Sequence, residues 1–311
     1  MNAEKIITVA QVIVPIFVTV FLGVLAKRRQ MMTQEQVQGL QQFVLKFGLP
    51  CVVFTSCLTA DMGAESLSSM ALGLGAVTIS FLLSLCVLKK HFTFHSMPML
   101  FAAQETGMLG IPLVILLFGA ENAYRMGVLD LAQAVICYIA IAVLTSDTGE
   151  NPTVSGIAKK VISSPVMIMA MIGLFLNLSG IGRWMDRAGV GGIVTGITSF
   201  LSQPVSALMI FSVGYSFSLD KRYRNDILKV AGIHLALFAL FGVVMQAVLF
   251  LLPNVDSMTR WVLLLYCALP PSYIAPGLGK SADDNTMASG VCSILTALCL
   301  GVFCLIAILT A

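Results

Sequence analysis

The chain has 311 residues, 58% of them hydrophobic and only 11% charged, with a mean hydropathy of +0.95. A soluble domain carries about 25% charged residues, so these values exclude one and point to a polytopic membrane protein. The formal net charge of +3 sits in short loops and gives no basis for a nucleic-acid partner.

A bilayer core needs about 20 apolar residues per helix. Ten segments meet that need, at 6–26, 39–58, 68–88, 97–118, 125–146, 162–181, 193–217, 228–252, 261–279 and 286–310. The first has an apolar run too long for a signal-peptide core, and its basic cluster Lys27-Arg28-Arg29 follows the run. The second holds Lys46, which can snorkel to the interface, and Pro50, and it ends in polar Thr59-Ala-Asp61. The fourth carries Glu105, about 12 Å below the segment entrance at helical rise. A carboxyl group there costs at least ~2.5 kcal/mol and persists mainly beside a polar cavity or a partner. Gly107, Gly110 and Pro112 follow and predict a helix break. In the fifth, Asp130 and Gln133 share one helix face. Asp130 could line a cavity or complement the helix dipole as a first-turn carboxylate. His234 opens the eighth and reads as a packed polar residue. The ninth is broken by Pro270, Pro271 and Pro276. Asp283, Asp284 and Asn285 precede the tenth as capping residues.

Ten spans put the loops near 27–38, 89–96, 147–161, 218–229 and 280–285 on one face, with twelve of the 18 lysines and arginines. The opposite face has five, and Lys46 lies within a span. The positive-inside rule then assigns the basic face to the cytoplasm and both termini to the extracytoplasmic side of the cell (inner) membrane.

The eight cysteines lie inside expected spans, with no CxxC pair and no metal spacing, and read as small buried residues. No catalytic residue, metal ligand or cofactor is expected: G-x-S-x-G, Walker A and H-E-x-x-H motifs are absent. Without an ATP-binding element, any movement of solute must be driven by gradients.

The segments also match in kind across two halves, 1–150 and 151–311. Pro15 and Gly23 of the first span answer Pro165 and Gly173 of the sixth. Pro50 answers Pro204, and the breaks of the fourth and ninth spans correspond. A repeat of five spans enters the bilayer in the opposite sense the second time, which is an inverted-topology repeat with its site near the midplane. Helix starts at the two breaks would offer N–H groups and partial positive charge to an anion; simple proline kinks patched by neighbours are the alternative. Gln104, Glu105 and Thr106 supply polarity at the first break, Ser272 and Tyr273 at the second. Glu105 could carry a proton, join a sodium site, or pair with Lys46 or Lys280.

The chain resembles the auxin efflux carrier family along its whole length. The residues that carry the likeness are Pro15-Ile-Phe-Val-Thr-Val-Phe-Leu-Gly23, Leu40 to Pro50, Glu105-Thr-Gly-Met-Leu-Gly-Ile-Pro-Leu113, Ser164-Pro165 and Leu269 to Pro276. The resemblance implies a fold like that of the bile-acid symporters. Spans 1, 2, 6 and 7 would form a scaffold and spans 3–5 and 8–10 an elevator-like transport domain, with spans four and nine crossing as broken helices. Small organic anions such as malate, malonate or auxin would be the substrates. Many relatives carry Asn where Gln104-Glu105-Thr106 stand here, and often an Asn where Ser272-Tyr273 stand.

The expectation is therefore a secondary transporter of a small carboxylate, coupled to protons. Its binding residues would be Gln104, Glu105, Thr106, Gly107, Pro112, Ser272, Tyr273 and Pro276, and its coupling residues Glu105, Asp130 and Gln133. The hinges would be Gly107, Gly110, Pro112, Pro270, Pro271 and Pro276. Partners would be the anion, a proton or sodium ion and the lipid bilayer, and a homodimer is compatible with the sequence. The alternatives are a sodium-coupled, cation or neutral-solute carrier of the same fold, or a membrane receptor that senses a metabolite without moving it.

Overall fold

The computed structural model describes residues 3–60, 64–92, 94–145, 162–217, 220–252 and 255–310. The expected half boundary at 150/151, the loop basic residues Lys159 and Lys160, Asp61 and Ser218 lie outside them. Among the described residues every regular element is helical. The helices of the first half are α1 (Ala3–Arg28), α2 (Gln34–Thr59), α3 (Glu65–Lys90), α4 (Thr106–Phe118) and α5 (Ala123–Thr145). Those of the second are α6 (Pro165–Leu178), α7 (Ile181–Arg187), α8 (Gly191–Ser216), α9 (Arg224–Leu251), α10 (Ser257–Ala268) and α11 (Ala282–Thr310).

Among the described residues seven helices are long and apolar enough to cross a membrane: α1, α2, α3, α5, α8, α9 and α11. The other three expected spans are shorter as helices. In the fourth segment, Met97–Phe101 is a 3-10 helix and α4 starts only at Thr106. The sixth ends as α6 after 14 residues, and the short α7 comes after it. The ninth ends at Ala268 because Leu269 precedes proline, which disfavours helical backbone; Leu269 is extended at φ −62, ψ 147. Beyond the prolines the segment forms only a four-residue 3-10 helix, Ala275–Leu278, and not the second half-helix expected there.

Proline does not start α4 either. Pro112 lies in its second turn, after a π turn at Thr106–Gly110 in which the Ile111 N–H donates to the Thr106 carbonyl. The same device precedes Pro50: a π turn at Val44–Gly48, closed by the Leu49 N–H on the Val44 carbonyl. A proline removes one backbone donor and crowds the turn before it. Widening that turn by one residue lets the helix continue past the proline.

Two crossings use glycine to bring backbones together. A Cβ on Gly23 of α1 would stand 2.1 Å from the Phe211 carbonyl oxygen and 2.7 Å from Tyr215 N, both on α8. A Cβ on Gly173 of α6 would stand 2.6 Å from the Phe54 carbonyl oxygen and 3.3 Å from Leu58 N, both on α2. Each glycine thus meets a phenylalanine carbonyl and the N–H four residues on. The sequence matched Gly23 with Gly173 but missed Phe54 with Phe211.

The cysteine expectation needs one correction. Cys51, Cys57, Cys267, Cys292 and Cys299 are buried, Cys137 and Cys304 are partly so, but Cys86 is exposed.

Candidate functional site

Where the fourth and ninth segments are not helical, they run antiparallel and pair. The Glu105 N–H donates to the Pro270 carbonyl at 2.8 Å, and the Ser272 N–H donates to the Ala103 carbonyl at 3.0 Å. Gln104 and Pro271 face each other between these bonds. Proline can sit here because the ladder asks only for the Pro270 carbonyl and the Ser272 N–H.

In such a pair, the N–H and C=O of Gln104 point away from the partner segment. Both are taken by one side chain from α5. The Gln104 N–H donates to Gln133 Oε1 at 2.9 Å, and Gln133 Nε2 donates to the Gln104 carbonyl at 2.8 Å. Gln133 Nε2 also reaches Thr106 Oγ1 at 2.7 Å, and the Tyr266 hydroxyl donates to Gln133 Oε1 at 3.2 Å. Gln133 is 3% exposed and acts as a third strand one residue long. Gln133 thus has a structural task beside its expected place at the cavity: its amide satisfies the backbone and its neighbours. No sequence pattern marks a glutamine for that task.

Glu105 uses both carboxylate oxygens on backbone donors. Oε1 accepts the Met108 N–H of α4 at 3.2 Å, so Glu105 caps the helix it precedes. Oε2 accepts the Tyr273 N–H of the ninth segment at 2.6 Å. The two lysines considered as partners, Lys46 and Lys280, are exposed, and both Glu105 oxygens are bonded by backbone N–H groups. Asp130 lies in the third turn of α5, too deep to act as a first-turn carboxylate, and accepts from the Thr106 hydroxyl.

A cavity of about 730 Å³ opens beside this crossing. It is lined by Gln104, Glu105, Thr106, Gly107, Asp130, Gln133, Ser272, Tyr273 and Pro276, which brings together the expected binding and coupling residues with one exception. Pro112 does not line it, because the first turn of α4 lies between. Gly110 is instead a packing position, where a Cβ would stand 2.9 Å from Leu269 Cδ1. Gly107 faces open space, with only Leu49 Cδ2 at 3.7 Å. Along α2 the cavity is lined by Gln34, Gln38, Gln41, Leu45 and Leu49, one helical stripe about 22 Å long. Its far end reaches Lys27 and Phe217, at the ends of α1 and α8, where Lys27 Nζ donates to the Phe217 carbonyl at 3.0 Å.

Several further groups surround the crossing; the sequence read His234 as packed and Asp284 as a cap, but did not show their partners. His234 lies beneath Gln104, stacked on Phe238 at 4.6 Å and 5.4 Å from the Phe101 ring. With the Gln104 amide oriented to donate to the Leu269 and Pro270 carbonyls, both at 3.0 Å, its Oε1 faces His234 Nε2 at 3.4 Å. The Tyr273 hydroxyl is 2.7 Å from Thr296 Oγ1 of α11. Ser289, Ser293 and Thr296 line the cavity at helical spacing, a hydroxyl stripe legible only with hindsight. Asp284 does more than cap α11. Nearly buried, it accepts from the His95 N–H at 2.9 Å and from the Ser96 N–H and hydroxyl, and so ties the start of the fourth segment to α11. At the opposite ends of the helices, Arg125 of α5 pairs with Glu65 at 2.9 Å and with Asp256, ahead of α10, at 2.8 Å.

Residues 8–156 match the family model described as "Membrane transport protein". The chain is also similar to an "Uncharacterized transporter" of Methanothermobacter thermautotrophicus, with 23% identity over 283 residues that cover 88% of each chain.

Proposed function

We propose, from the match of residues 8–156 to a membrane transport family model, that the chain is a secondary transporter of the auxin efflux carrier type that moves a small carboxylate by alternating access with a coupled proton. One observation carries the reading. At the crossing, two backbone N–H groups from different segments hold the two oxygens of a carboxylate group beside a cavity of about 730 Å³. A place that holds the Glu105 carboxylate has the donors to hold that of a solute.

The proposed architecture is ten segments in a five-plus-five inverted repeat. Two observations support it. The crossings of spans 1 with 7 and 2 with 6 exchange under a two-fold that maps span 1 to 6 and 2 to 7, and in both a glycine meets a phenylalanine carbonyl and the N–H four residues on. The bonds at the Gln104–Pro271 pair are also related by that exchange. Spans 1, 2, 6 and 7 would form the scaffold and the other six the moving body. With the basic loops in the cytoplasm, the cavity would open there past Lys27.

Proteoliposomes loaded with C3 and C4 dicarboxylates test the function. Counterflow is expected, faster at acid pH, and Glu105→Gln is expected to flatten that pH dependence. No counterflow with any acid would remove the anion reading; a wild-type pH profile in the variant would remove Glu105 from coupling.

A second reading has its own observation. Glu105 and Asp130 both line the cavity, and Lys27, its one basic lining residue among the described residues, stands at the far end. That balance suits a cation-coupled or neutral-solute carrier. Uptake that requires sodium and ignores a pH gradient would favour it.

A further inference from the structure

We propose that the Glu105 carboxylate is a tethered competitor, occupying the crossing's own anion place until a proton on it releases those donors to the transported carboxylate. The inference rests on the anion reading above and gives its coupling a physical form.

The geometry is specific. A side chain at a helix N-cap needs one acceptor oxygen, and Glu105 Oε1 meets that need on the Met108 N–H. The second oxygen leaves its own segment and takes the Tyr273 N–H at 2.6 Å, the shorter of the two contacts. Tyr273 N is not needed by the ladder, which ends at the Ser272 N–H. The crossing therefore offers two donors to an anion, and the chain fills both with its own carboxylate. Glu105 is only 7% exposed, yet it lines the cavity, so a solute arriving there meets donors already in use.

A solute carboxylate cannot share those donors with a charged Glu105, since two carboxylates at one site repel strongly. A proton from the cavity water placed on a Glu105 oxygen removes one negative charge and turns that oxygen from acceptor to donor. The Tyr273 N–H then becomes available, and the new O–H can itself donate to the entering anion. Charge is conserved at the site: one carboxylate before, one after, with one proton and one anion gained.

Several ionisable groups face Glu105. Asp130 and Cys137 come from α5, Tyr273 from the ninth segment and Cys292 from α11; each lies close enough to interact with its charge. Tyr138 and Lys27 line the same cavity farther out, and His234 reaches the crossing only through Gln104. Asp130 is held by the Thr106 hydroxyl and takes neither donor of Glu105. Of these ionisable groups, Glu105 is the one whose carboxylate accepts backbone N–H groups of both segments among the described residues.

The test measures binding to the purified full chain in detergent, with malonate and benzoate as carboxylate probes at pH 5.5 and 8. Wild type is expected to bind them more tightly at pH 5.5. In Glu105→Ala, binding at pH 8 is expected to tighten by about tenfold or more, because a place nine-tenths occupied by its own side chain lowers apparent affinity by that factor. The ratio between the two pH values should fall to about one. Glu105→Gln guards against a folding defect in the alanine variant: its amide keeps an acceptor without charge and should also lose the pH ratio. Binding weakened or unchanged at pH 8 in both variants, with wild type still binding the probes, would overturn the competitor role but leave the anion reading standing. Failure of every protein to bind the probes, with sodium binding to wild type alone, would overturn both.

Discussion

Replacing Gln133 by leucine would separate a structural role at the crossing from a role in ion coupling. The substitution keeps the side-chain volume roughly and removes every polar atom. It leaves the N–H and C=O of Gln104, which is 2% exposed, without the partners now at 2.9 and 2.8 Å. Each unsatisfied buried backbone group costs ~1–3 kcal/mol. Thr106 Oγ1 and the Tyr266 hydroxyl lose a partner as well. Side-chain hydrogen bonds inside membrane proteins average only about 0.6 kcal/mol when measured, which pulls the sum toward the lower end. The expected loss is about 2–4 kcal/mol, most of it from Gln104. The assay is reversible unfolding in mixed detergent micelles, followed by circular dichroism. Gln133→Glu, which keeps the acceptor and loses both amide donors, should fall between wild type and leucine. A leucine variant within ~0.5 kcal/mol of wild type would refute the reasoning. So would one whose only change was in cation dependence.

Further expectations rest on the same packing and bonding. Gly214→Ala should destabilise by ~1–3 kcal/mol or prevent folding, because its Cβ would stand 2.1 Å from the Val20 carbonyl oxygen and backbone cannot yield. Gly192→Ala, with open space around it, should be neutral in the same micelle unfolding assay, and equal stabilities for the two would count against the close crossing. Asp284→Ala should cost ~2–4 kcal/mol in detergent unfolding, since the His95 and Ser96 N–H groups lose a charged acceptor; Asp284→Asn should recover part of it, and no loss in either would show those bonds to be dispensable. Pro112→Ala should leave stability within ~1 kcal/mol while slowing counterflow, because an added N–H lets the π turn revert to an α turn beneath Glu105; unchanged flux would make that turn a packing feature alone.

The sequence determined the parts of this protein that depend on local chemistry. Apolar runs of span length fixed it as a membrane protein, since few sequences with 11% charged residues have another way to hide 58% hydrophobic ones. Consecutive prolines after Leu269 ended a helix because proline forbids it, whatever surrounds it. Glu105 stood out because carboxyl groups are costly in apolar segments. Other features needed the tertiary structure. That Glu105 reaches Tyr273, 168 residues away, depends on where two non-helical stretches cross, and no local pattern encodes the meeting. The start of α4 at Thr106 instead of Pro112 was decided by Glu105 acting as its cap. Its spacing to Asp130 put Gln133 at the cavity, but only the crossing showed that its amide also satisfies a buried backbone N–H and C=O. Spacing along one helix says which residues share a face; only packing says what that face meets.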